Sequence, residues 1–114
     1  MEREELADTL AETFKERLNA MADSNRGWNK TLQLCLEDIE KVYIVKIVDG
    51  EVENLDKKPM EEQDESADAT VTTTVDTIDG LLKKEINPMM AMMRGKIKIK
   101  GDMGVLTRLA SVFT

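Results

Sequence analysis

The chain contains no histidine, one cysteine (Cys35), two prolines and only four aromatic residues among its 114. Without histidine there is no Ser–His or Cys–His nucleophile pair, and the imidazole ligands of zinc and iron sites are missing. A lone cysteine closes no intramolecular disulfide, which argues against a stapled secreted scaffold. No apolar run approaches the roughly 20 residues that span a bilayer. The opening MEREELADTL is charged rather than leader-like. Gly101-x-x-Gly104 lacks the lysine and the strand context of a phosphate loop. Together these absences predict a soluble, cytoplasmic protein that is not an enzyme and uses neither metal nor cofactor. The ending Ser111-Val112-Phe113-Thr114 carries no peroxisomal address of the S-K-L type.

Charge is plentiful and unevenly placed. Residues 1–82 hold nine Lys and Arg against 21 Asp and Glu, a net −12, and residues 83–114 hold seven against two, a net +5, within a total of −7. An acidic chain is a poor nucleic-acid partner, because phosphate contacts need clustered cations. The basic third, with Lys83, Lys84, Arg94, Lys96, Lys98, Lys100 and Arg108, suits transient contact with an anionic membrane surface. Lys96, Lys98 and Lys100 also guard a strand against edge-to-edge pairing.

One domain is expected over residues 1–114, because a chain of this length buries most of its apolar surface in a single core. Leu6, Leu10, Phe14, Leu18 and Met21 recur at helical spacing and predict an amphipathic helix over 2–22, ended by Asn25, Arg26 and Gly27. Leu32, Leu34 and Leu36 alternate with Gln33 and Cys35, the pattern of a strand whose leucines share one face. A second strand is predicted over 41–48, and Asp49-Gly50 is a hairpin turn into a third at 51–56. Glu37 to Glu40 reads as a turn, and the acidic stretch 59–68 as a solvated crossover. Residues 69–75, rich in Thr and Val, form a fourth strand; Asp76 or Thr77 then caps a helix bearing Ile78, Leu81, Leu82 and Ile86. Trp28 is read as a core residue and Cys35 as a small, inert one.

The segment 87–114 packs four methionines into five residues. Asn87 caps a short helix, Pro88 fits its first turn and Gly95 closes it, so Met89, Met90, Met92 and Met93 sit on barely two turns. Such thioethers fill cores, and they also mould to variable apolar partners. Lys96-Ile97-Lys98-Ile99-Lys100 alternates as a half-buried strand with both isoleucines inward. Gly101 and Asp102 then turn the chain and cap a last helix with Met103, Leu106, Leu109, Ala110 and Phe113 along one stripe.

Four of these pieces succeed one another in a recognisable order: Ala67-Asp68-Ala69-Thr70-Val71-Thr72 on a strand, Asn87-Pro88 before the short helix, Gly95-Lys96-Ile97-Lys98-Ile99, and Gly101-Asp102-Met103-Gly104. Over about residues 67–112 the chain resembles the sterol carrier protein two domain, a family of small intracellular lipid-binding and lipid-transfer modules. The resemblance implies an α+β fold with a single mixed sheet of about five strands, covered on one face by helices. Its order would be helix, three strands, crossover, strand, two helices, strand, helix, with an apolar tunnel between sheet and helices.

A non-enzymatic carrier for a fatty acyl, sterol-like or isoprenoid lipid is therefore expected. Leu82, Met89, Met92, Met93, Leu106, Leu109 and Phe113, drawn from three consecutive helices flanking one strand, are expected to line the lipid site. Two other readings use the same surface. One is a protein-interaction subunit whose methionines dock on a partner or on a second copy as a homodimer. The other is an accessory lipid-presenting domain for a lipid-handling enzyme on another chain.

Overall fold

The computed structural model describes residues 2–110. Helix α1 (Arg3–Ala20) leads into strands β1 (Lys30–Leu36), β2 (Lys41–Val48) and β3 (Glu51–Pro59). After a 3-10 turn (Met60–Glu62) follow β4 (Ala69–Thr73), α2 (Val75–Leu82), α3 (Pro88–Met93), β5 (Lys98–Gly101) and α4 (Met103–Ala110). The strands make one sheet in the order β3-β2-β1-β4-β5. It is mixed, because β1 and β4 run parallel while all other neighbours are antiparallel. Both the α+β class and the element order match the sequence expectation.

Period-two alternation assigns the faces. Leu32 and Leu34 stand across from Val45 and Tyr43 on β2 and from Ala69 and Val71 on β4, and Val71 in turn faces Ile99. Helices cover this side, and two apolar clusters fill the space beneath them. The first joins Ala7 and Ala11 of α1 to Leu36, Tyr43, Val75, Ile78, Leu81, Leu82, Ala91 and Ile97. The second joins Leu18 to Trp28, Leu32, Val45, Ile47, Ala69 and Val105, which gives Trp28 the core place predicted for it. Alanines on α1 let its backbone approach, and polar bonds fasten it: Tyr43 Oη donates to Asp8 Oδ1 at 2.5 Å, and Lys57 Nζ donates to Glu4 and Asp8 at 3.1 and 3.2 Å.

The opposite face is closed at its centre by the crossover. Gln33, a buried polar residue, donates through Nε2 to the Asp64 carbonyl at 3.2 Å and accepts the Asp64 N–H through Oε1 at 2.6 Å. Its amide therefore replaces a strand edge as partner for the loop, satisfying groups that burial would otherwise leave unpaired. Cys35 lies on this face between Val42 and Thr72 and is fully buried. Burial pushes its thiol up, with a weaker opposing effect from its hydrogen bond with Thr72, as an inert structural cysteine requires.

The Asp49-Gly50 hairpin has both residues at positive φ (52° and 81°), the primed turn that strand twist favours. Several boundaries differ from expectation, among them β5, which starts at Lys98 rather than Lys96. β3 continues to Pro59 because Lys41 pairs with it across the ladder. The cap of α2 is Thr74, whose Oγ1 accepts from the Thr77 N–H at 3.3 Å, rather than Asp76 or Thr77. The strand stops at Thr73, and the Val75 N–H is bound by the Asp38 carboxylate at 3.1 Å, so the helix begins earlier.

Candidate functional site

The connection from α2 to β5 builds the one part of the described surface where large apolar side chains cluster in solvent. At the end of α2 the chain folds back, with the N–H groups of Glu85 and Ile86 both donating to the Gly80 carbonyl at 2.8 and 3.1 Å. Ile86 then lies directly on Gly80: an added Cβ there would meet Ile86 Cδ1 at 2.4 Å. Arg17 of α1 donates to the Leu82 carbonyl at 3.2 Å and fixes this end of α2 from above.

α3 forms as its local sequence dictates. Asn87 Oδ1 accepts from the N–H groups of Met89 and Met90 at 2.9 and 3.3 Å, and Pro88 occupies the position where no N–H is needed. Beyond the helix, the Lys96 N–H donates to the Ala91 carbonyl at 2.9 Å, and Thr73 Oγ1 donates to the Lys96 carbonyl at 2.7 Å, which fastens the exit to β4. Ala91 is the only buried residue of α3. Met89, Met90, Met92 and Met93 are 72%, 45%, 44% and 80% exposed.

The expected lining residues are therefore separated. Leu82 is buried in the first core cluster, whereas Met89, Met92 and Met93 stand in solvent instead of facing an enclosed tunnel. A two-turn helix has room for one inward stripe, and Ala91 fills it. The side chains of Leu106 and Leu109, and Phe113 as a whole, lie outside the described residues. Between α3 and the end of α2 lies a half-open pocket of about 230 Å³, lined by Glu85, Ile86, Asn87, Met90, Ala91, Arg94 and Lys96. Neither Met90 nor Ile86 was among the expected lining residues; the signal available was Gly80, a helix-interior glycine six residues before Ile86.

Electrostatics divide the basic third. Lys83 pairs with Asp79 at 3.0 Å, and that hydrogen bond holds its ammonium above the usual lysine range. Arg108 leaves the methionine surface altogether, lying 5.3 Å from the Trp28 ring centroid and donating to Asn25 Oδ1 at 2.7 Å. Lys84, Arg94 and Lys96 are exposed. A wider open cleft of about 680 Å³ lies at the start of α1, lined by Glu2, Arg3, Glu4, Leu6, Asp38, Ile39 and Asp76. Arg3 spans it to Asp76 and Asp38 at 3.0 and 3.5 Å, and its charged walls suit an apolar ligand poorly. Among the described residues no group of three or more His, Cys, Asp or Glu is placed to hold a metal ion, and no helix is long and apolar enough to cross a membrane.

Over residues 9–114 the sequence matches the SCP-2 sterol transfer family. The chain belongs to that family. It is 35% identical over 81 residues to a linear primary-alkylsulfatase of Pseudomonas, covering 71% of this chain and 11% of that protein. It is 25% identical over an alignment 128 positions long, gaps included, to sterol carrier protein 2 of Rattus norvegicus, covering 90% of this chain and 23% of the relative. The family member described here thus spans less than a quarter of either curated relative's length. Its fold matches that of an inverting sec-alkylsulfatase of Pseudomonas with a TM-score of 0.69 at 24% identity, over 87% of this chain and 15% of the enzyme. It also matches sterol carrier protein 2 of Aedes aegypti in complex with the C16 fatty acid palmitate, with a TM-score of 0.66 at 14% identity, over 92% and 94% of the two chains.

Proposed function

We propose that this SCP-2 family protein is a non-enzymatic cytoplasmic carrier of long, unbranched apolar chains, bound under and against α3. The observation that carries the reading is the set of four exposed methionines beside the Ile86–Ala91 pocket. Both a palmitate complex and a linear primary-alkylsulfatase among the relatives concern ligands with a straight alkyl chain, which supports an acyl or alkyl ligand. At about 230 Å³ the pocket is below the ~300 Å³ at which ligand sites begin, so the ligand enters by lifting α3. Lifting is inexpensive because α3 buries little beyond the Ala91 methyl group. Met89, Met92 and Met93 then fold inward against the chain, joined by Leu82, Leu106, Leu109 and Phe113. Burying a C16 chain at ~0.8 kcal/mol per CH2 yields roughly 12 kcal/mol gross. Association costs of about 4–15 kcal/mol bring this to micromolar affinity when the opening of α3 is cheap.

Displacement of a fluorescent fatty acid by palmitate tests this. Palmitate should compete at micromolar concentration and cholesterol only weakly, and Met92→Asp should weaken palmitate about tenfold or more by placing a charge in the apolar wall. Absence of competition by palmitate, or a Met92→Asp protein that binds as the wild type does, contradicts the reading. One finding favours a second role for the same site: identity to the alkylsulfatase, 35%, exceeds that to the rat carrier protein, 25%. In that role the domain presents an alkyl chain to an enzyme, and native mass spectrometry of the purified protein would show a partner chain in place of a co-purified lipid.

A further inference from the structure

We propose that Met89, Met90, Met92 and Met93 form an oxidation site for two-electron oxidants of the hypochlorous acid class, and that their conversion to sulfoxides discharges the bound chain. The discharge rests on the carrier reading, whereas the site stands on exposure and chemistry. Four of the eight methionines fall within these five residues. Leucine would supply a similar apolar volume without a reactive sulfur. On α3 the thioethers are open to solvent, with Met89 and Met93 at 72% and 80% exposure. The other side chains that such oxidants attack are covered: Cys35, Tyr43 and Trp28 are 1%, 3% and 9% exposed, and Met21 and Met60 are half-buried. Cys35 is shielded twice, because burial also pushes its thiol up and away from the reactive thiolate form. Among the described residues, oxidation is therefore directed to α3.

The step balances on one thioether. The sulfur gives up two electrons, an S–O bond forms as the Cl–O bond breaks, chlorine leaves as chloride, and the acid's proton passes to water. A sulfoxide is polar and accepts hydrogen bonds, where the thioether was apolar and adaptable. Arg94 and Lys96 share the pocket rim with Met90, and both are exposed, as is Lys84. Sulfoxide oxygens at this mouth have cationic donors beside them, and an entering alkyl chain would have to strip those bonds and the attached water. The fold itself is spared. Ala91 is the only buried residue of α3, and the Asn87 cap and the bond from Lys96 to Ala91 use groups that oxidation leaves alone. Exposed sulfoxides are also open to methionine sulfoxide reductases, so the site can be reset.

Graded treatment with hypochlorous acid, followed by peptide mass spectrometry and palmitate displacement on the same preparations, is the test. At doses that leave Cys35, Trp28, Met21 and Met60 intact, oxygen should appear first on Met89 and Met93 and then on Met90 and Met92. Palmitate affinity should fall about fivefold or more in parallel, with the circular dichroism unchanged, because polar sulfoxides then face the chain. Methionine sulfoxide reductases A and B, one for each sulfoxide epimer, should restore it. The variant Met89→Leu, Met90→Leu, Met92→Leu, Met93→Leu should bind palmitate equally before and after treatment, whatever its own affinity. Cys35→Ala should stay as sensitive as the wild type. Oxidation of Cys35, Met21 or Met60 ahead of the α3 methionines overturns the site. Unaltered palmitate affinity once α3 is oxidised, loss of the folded circular dichroism signal, or a leucine variant that loses affinity as the wild type does, overturns the discharge. Untreated protein that fails to bind palmitate contradicts the carrier reading, and the discharge with it, while the order of oxidation still decides the site.

Discussion

Tyr43 couples the sheet to α1 and sets an alkaline limit on stability. Burial, then the hydrogen bond with Asp8, pushes its phenol well above the ordinary value of about 10. A folded-state value above the unfolded one contributes stability that is complete below about pH 10 and is lost as pH rises further. Asp8 works in the opposite sense. The Tyr43 hydroxyl, helped by Lys57 and opposed by burial, holds its carboxyl below the usual range, so its contribution is present above about pH 4 and is lost as pH falls through the folded value. Tyr43→Phe should cost about 1 kcal/mol at neutral pH and should flatten the loss of stability above pH 10. Urea midpoints across that range check it, and an unchanged alkaline slope would count against the coupling. Cys35 is the contrasting case: Cys35→Ala should leave palmitate affinity unaltered and cost about 1 kcal/mol, because the thiol is small, buried and remote from α3.

Among the elements, α3 and β5 differ in how they are held. α3 depends on its cap, so Asn87→Ala should release about 1 kcal/mol of local stability. Amide exchange over 88–95 should quicken while the global melting temperature barely changes; protection that is unaltered would mean that tertiary contacts, not the cap, hold the helix. β5 is anchored by a close backbone approach. Gly101 has φ +114°, and a Cβ there would lie 2.3 Å from the Asp68 carbonyl oxygen and 2.9 Å from Ala69 Cα. Gly101→Ala should therefore destabilise the whole domain by about 2 kcal/mol or more, read from thermal or urea unfolding. Elements defined by neighbours in sequence were legible in advance: β2 over Lys41–Val48, the Asp49-Gly50 turn, and the Asn87-Pro88 start of α3. The start of α2 was not. It depends on where β4 stops pairing with β1 and on Asp38 binding the Val75 N–H, both distant in sequence.

At the scale of the molecule, alternation and turn residues located the separate strands and helices, whereas the mixed sheet, its helix-covered face and the overall topology were implied by the resemblance to the sterol carrier protein two domain. Trp28 was readable as a core residue because an indole buries a large apolar area in an aromatic-poor chain, and Leu82, expected at the lipid site, lies in the first core cluster. The facing of the methionines was not, since a six-residue helix turns on anchors supplied elsewhere, namely Ile86 on Gly80 and the Lys96 bond to Ala91. The hold of the crossover on the sheet was likewise not readable, because it rests on Gln33 binding Asp64, 31 residues away in sequence. The account rests on an apolar chain entering beside α3 while the rest of the fold stays still. Nuclear magnetic resonance of the isotope-labelled protein titrated with palmitate addresses that directly. Shifts confined to Leu81, Leu82, residues 86–97 and residues 106–113, with β2 and β3 unchanged, are expected; shifts centred on the Arg3–Asp38–Asp76 cleft, or none at saturating palmitate, would contradict it.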